Sequence, residues 1–139
     1  MDITKINLPL IYEQLQNIGE NMPHIVLENI NEVKDAFSAI KPFAEKTEGG
    51  ILKVIDKYIN SAEQVALIEA LAIENGRNQN FFVQLSQKQS SLTVRLLPMT
   101  DPEKTDGVKT IMAKIAKQIK DRDKNITYGK TNLQDFLID

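Results

Sequence analysis

The apolar residues of this chain change period near residue 80, and any fold must accommodate both patterns. Before that point they recur every three or four residues, the spacing of one helical face; after it they alternate, the spacing of a strand. Leu8, Ile11, Leu15 and Ile18 predict a first helix, with Asn7 as its cap and Pro9 tolerated in its first turn. Val26, Ile30, Val33, Phe37 and Ile40 predict a second, which Pro42 should end. Thr47-Glu48-Gly49-Gly50 reads as a loop. Ile51, Val54, Ile55, Tyr58 and Ile59 predict a third helix. A fourth, over 62–75, is apolar around most of its circumference and therefore belongs in the core. Ser61 and Gln64 form its capping box and Gly76 its left-handed stop.

Phe81, Val83 and Leu85 then alternate with Phe82, Gln84 and Ser86. Leu92, Val94 and Leu96 alternate with Thr93, Arg95 and Leu97. These are two strands joined by the polar stretch 87–91, the second limited by Pro98. Val108, Ile111, Met112, Ile115 and Ile119 mark one long amphipathic helix over 108–121. Ile126-Thr127-Tyr128 reads as a short third strand, and Asn132 caps a final turn carrying Leu133, Phe136 and Leu137. The expectation is a single α+β domain spanning 1–139. A mainly helical N-terminal half packs on a small antiparallel hairpin or sheet, and one long amphipathic helix follows.

Composition removes much chemistry. With no Cys, the chain has no disulfide, thiolate metal site or cysteine nucleophile. A single His, His24, excludes a multi-histidine metal centre, and beside Pro23 it reads as a boundary residue. No Gly-x-Ser-x-Gly or Gly-x-Gly-x-x-Gly occurs. Gly129-Lys130-Thr131 lacks the earlier glycine that a phosphate-binding loop requires, because Lys124 stands there. Asp101, Glu103 and Asp106 are spaced for helix capping rather than for a cation loop. The expectation is therefore no catalytic residue, no cofactor and no metal, hence no enzyme. Met1-Asp2-Ile3-Thr4-Lys5 does not open a signal peptide, and no apolar run approaches the roughly 20 residues that cross a bilayer, so a cytoplasmic location without a membrane span is expected.

Charge is segregated. Residues 1–80 carry 7 Lys or Arg against 12 Asp or Glu, whereas 104–130 carry 8 against 3. Such asymmetry steers partners, and it permits a homodimer. The function expected is a protein-binding module acting by stoichiometric association: an adaptor, secretion chaperone, immunity protein or inhibitor. Its surface would comprise Phe82, Arg95 and Leu97 on the sheet's outer face with Phe136 and Leu137 of the terminal segment. The alternative is a nucleic-acid-binding accessory protein using Lys109, Lys114, Lys117 and Lys120 on the basic face of helix 108–124. The runs Thr93–Asp101 and Leu133–Asp139 together resemble the end of small acidic adaptor chaperones of type IV secretion systems, over less than a sixth of the chain; no site residue is implied by it.

Overall fold

The computed structural model describes residues 22–139, which form strand β1 (His24–Glu28), helix α1 (Val33–Ala39), strands β2 (Phe43–Thr47), β3 (Gly50–Ile59), β4 (Val65–Glu74), β5 (Arg77–Lys88) and β6 (Ser91–Leu96), helix α2 (Asp106–Lys120) and strand β7 (Thr127–Thr131). Short 3₁₀ turns follow β6 at Pro98–Thr100 and β7 at Gln134–Phe136. The strands make one antiparallel sheet in the order β2-β3-β4-β5-β6-β1-β7. The first predicted helix, Leu8 to Ile18, lies outside the described residues.

The expected helical half is corrected to sheet. The second predicted helix divides into β1 and the short α1, which stops at Ala39 ahead of Pro42. The third and fourth are the paired strands β3 and β4, each ten residues long. In β4 the two patterns compete. Alanine and leucine favour helix by propensity, yet Ala66, Ile68, Ala70 and Ala72 are buried while Val65, Leu67, Leu71 and Ile73 alternate with them on the other face. Cross-strand pairing to both neighbours outweighs the propensity, which is a weak prior. The turns agree with the strands. Asn75 and Gly76 both hold positive φ (52° and 81°), so they make the two-residue hairpin turn between β4 and β5 rather than a helix stop. Asn60 replaces the expected capping box: its Oδ1 accepts from the N–H groups of Gln64 and Val65, closing the turn from β3 into β4.

The later elements follow their periodicity. β5 and β6 pair through a tight turn at Gln89-Ser90. Val108, Ile111, Met112, Ile115 and Ile119 are all buried along α2. β7 occupies the predicted third-strand region, and it carries Gly129-Lys130-Thr131 as ordinary strand. Asn132 does not cap the final turn; its Oδ1 accepts from His24 N–H and its side-chain amide donates to the Met22 carbonyl, tying the start of β1 to the end of β7.

Both helices lie against one face of the sheet. The core forms there, with Ile25, Leu27, Leu52, Val54, Phe81, Val83, Leu85, Leu92, Val94 and Leu96 meeting the buried stripe of α2. The small side chains of Ala66, Ala70 and Ala72 let the helical layer approach β4 closely. Thr105 caps α2 by accepting from Val108 N–H, and Glu74 reaches from β4 to take the N–H of Gly107 at 2.6 Å. The connection before α2 is fastened to β5: the Arg77 guanidinium donates to Glu103, and Gln79 accepts from Glu103 N–H.

That fastening sets a pH signature. The hydrogen bond from Arg77, and then its charge, hold the Glu103 carboxyl below its usual range. A carboxylate with a depressed folded-state pKa contributes stability that is present above the ordinary carboxylate range and is lost as pH falls through the folded value. A carboxyl-resolved NMR titration is expected to find Glu103 titrating lower than a free glutamate, and Arg77→Gln to restore the ordinary midpoint. An unshifted Glu103 in the parent protein would show that this contact is not formed in solution.

Candidate functional site: the outer sheet face

Alternation along each strand assigns every second side chain to the face opposite the helices. Strand register then lines these side chains up in rows across the sheet. One row runs His24, Arg95, Gln84, Leu67, Tyr58, each paired with the next on adjacent strands. Beside it lie Phe82 and Leu97, joined by a hydrogen bond from Leu97 N–H to the Phe82 carbonyl at 2.9 Å. Val65, Leu71 and Ile73 extend the apolar surface along β4, and Ile51 continues it onto β3 opposite Ile73. These side chains are half-buried, while Tyr58 is 48% exposed. Among the described residues, α1 and α2 both pack on the other face.

This face is shaped toward the β3 side. Tyr58 and Phe82 meet edge to face with ring centroids 6.3 Å apart. Tyr58 donates its hydroxyl to Glu69 on the neighbouring strand at 3.0 Å. That hydrogen bond, chiefly, raises the Tyr58 phenol above its ordinary range, so it remains a neutral donor under physiological conditions. Tyr58, Asn60, Val65, Leu67, Gln84 and Leu97 line a shallow, largely apolar depression of about 360 Å³. An apolar trough with a few polar groups at its margin suits recognition of apolar side chains by burial, with the polar margin setting orientation.

Phe82, Arg95 and Leu97 therefore sit together, with Arg95 exposed at the rim. Phe136 and Leu137 lie elsewhere. They are half-buried against the core on the helical layer, where the Lys109 ammonium stands 5.6 Å from the centre of the Phe136 ring. The structure thus separates the two halves of the expected surface. It also adds Tyr58, Val65 and Leu67, which the helical reading of β3 and β4 concealed. The signal that could have found Val65 and Leu67 was the hairpin pair Asn75-Gly76 closing the apolar run 65–73.

The four lysines of the alternative reading are engaged locally. Lys114 pairs with Glu45 of β2 and Lys117 with Asp121 one turn on, while Lys120 lies 5.4 Å from the centre of the Tyr128 ring and Lys109 stands over Phe136. Among the described residues, no group of three or more His, Asp or Glu side chains is gathered so as to hold a metal ion, and no helix is long and apolar enough to cross a membrane. Asp101 pairs with Lys104, Glu103 with Arg77, and Asp106 stands in the first turn of α2. No protein-family model, curated protein or solved structure matches the chain.

Proposed function

We propose that this chain is a non-enzymatic protein-binding module, acting by stoichiometric association through the outer face of its sheet. One observation carries the reading. Tyr58, Leu67, Phe82 and Leu97 present a contiguous apolar surface on strands whose opposite side chains already fill the core. Contiguous apolar area of this kind on a protein surface marks an interaction site. Aromatic side chains in an apolar patch, with the exposed Arg95 beside them, match the composition of an interface. Adaptors, secretion chaperones, immunity proteins and inhibitors all work by such association, and the charge asymmetry between acidic and basic regions supplies steering.

The test is capture of a single stoichiometric partner from the source cells by the tagged full chain, repeated with Leu67→Asp and Phe82→Asp. A charge buried at the centre of an interface costs on the order of 2–5 kcal/mol, so each variant is expected to lose at least about thirtyfold in affinity. Circular dichroism should stay unchanged, because both side chains lie outside the core. Undiminished capture by both variants would refute the reading. Binding to DNA or RNA at low salt that Lys114→Glu and Lys117→Glu abolish would transfer the function to the helical layer.

A further inference from the structure

The outer face is self-complementary about a line that crosses β3 and β4. Along β4 the outward positions run Ile73, Leu71, Glu69, Leu67, and their register partners on β3 are Ile51, Lys53, Asp56 and Tyr58. The bulge between Val54 and Asp56 is what keeps all four β3 partners on this face. From one end to the other the β3 side therefore reads apolar, basic, acidic, apolar, with its midpoint between Lys53 and Asp56. The ends also differ in form. Tyr58, Val65 and Leu67 line the shallow depression of about 360 Å³. At the other end Ile51 and Ile73 stand side by side as a branched aliphatic pair. In the middle, neither Lys53 nor Asp56 enters an ion pair among the described residues. Asp56 Oδ1 accepts from the Lys57 N–H at 2.8 Å, and Glu69 beside it adds a second carboxylate.

We propose that a second copy of this chain docks on the outer face, sheet on sheet, in a dimer whose twofold axis lies between the two faces and crosses β3 and β4 midway between Lys53 and Asp56. The proposal rests on reading that face as a docking surface, and names its occupant. Such an axis turns each row onto its counterpart. The Ile51 and Ile73 end of one copy meets the depression of the other, and the contact occurs twice. Lys53 of each copy meets the Asp56 and Glu69 carboxylates of the other. Facing sheets lie about 10 Å apart, a gap that a lysine from one side and a carboxylate from the other can span. On β5 the same operation sets Asn78 opposite Gln84 and Asn80 opposite Phe82. Leu71 is the one apolar side chain of the four rows that falls against a carboxylate, that of Glu69. Apolar contact at both ends supplies adhesion, and the opposite charges between them set the register.

Analytical ultracentrifugation of the full chain tests this. The parent protein is expected to form a dimer that dissociates on dilution. Lys53→Asp sets like charges against each other across the axis, as does Asp56→Lys, and each should weaken self-association at least about thirtyfold. The double variant, Lys53→Asp with Asp56→Lys, restores opposite charges and should return the affinity to within about threefold of the parent. Ile73→Asp should also give a monomer. Lys41→Asp, exposed beside α2 on the other layer, should leave the dimer intact. Circular dichroism should be unchanged in every variant. A parent protein that stays monomeric at every concentration would overturn the proposal, whether another protein or part of the same chain fills the face. So would a dimer indifferent to both single reversals, or a double variant as monomeric as the single ones. A monomeric parent whose capture of another protein is still lost in Leu67→Asp and Phe82→Asp would remove the second copy and keep the docking surface. Capture and self-association both undiminished in those two variants would remove both readings.

Discussion

Phe81→Ala is expected to lower stability by about 3–5 kcal/mol, whereas Phe82→Ala, one residue along the same strand, should cost about 1 kcal/mol. Phe81 is 1% exposed and is among the largest side chains wholly within the core. Its truncation removes the transfer free energy of the ring and leaves a cavity beneath the helical layer, into which strand-bound neighbours relax little. Phe82 is half-buried on the outer face, held by an edge contact with Tyr58, so its loss forfeits part of one aromatic pair. For a chain of this length the first change should lower Tm by on the order of 10–20 °C and the second by a few degrees. The binding consequences run the other way: Phe82→Ala should weaken partner capture and Phe81→Ala should not, below its melting range. Equal destabilisation by the two variants would mean that the faces of β5 are assigned wrongly.

Gly50→Val should cost about 3 kcal/mol, by a different mechanism. A Cβ at Gly50 would lie 1.7 Å from the Ile73 carbonyl oxygen and 2.7 Å from its carbon. Those are backbone atoms of β4, and they cannot yield without parting the strands at the head of the β3–β4 ladder. Gly76 offers the control. It needs its positive φ of 81°, but a Cβ there meets nothing within 4 Å, so Gly76→Ala carries only the conformational penalty of about 1 kcal/mol. Chemical denaturation of the two variants should separate the steric case from the conformational one. A Gly50→Val protein as stable as the parent would show that β3 and β4 are not this close.

Beyond residue 80 the architecture was legible because a single pattern dominated each segment. β5 and β6 alternate cleanly, and the stripe of α2 is spaced as a helix and buried as one. Between 51 and 75 two patterns coexist. Val54, Tyr58 and Ile59 are spaced for a helix, but a bulge between Val54 and Asp56 shifts the strand's alternation there and disguises it. β4 is apolar on both faces because one meets the helices and the other forms the outer surface, so its alternation between small and large was masked by uniform hydrophobicity. The candidate site suffered accordingly. Phe82 and Arg95 lie on strands read as strands, with Leu97 one residue beyond β6, whereas Tyr58 and Leu67 were hidden in strands read as helices. Phe136 and Leu137 were placed with them on hydrophobicity alone, which carries no information about which layer a terminal segment joins.

The margin of the sheet at β3 bears on how associations form. β2 accompanies β3 only from Gly50 to Val54, leaving the stretch to Ile59 without a strand on that side. There the bulge disturbs the pleat, and the Lys57 ammonium donates to the Phe37 carbonyl at 2.7 Å while lying over the Phe37 ring. A kinked, lysine-guarded margin is a poor template for another chain's backbone. Edge-to-edge growth of the sheet into fibres is thereby discouraged, and the broad outer surface is left as the place where any association would be read by side chains.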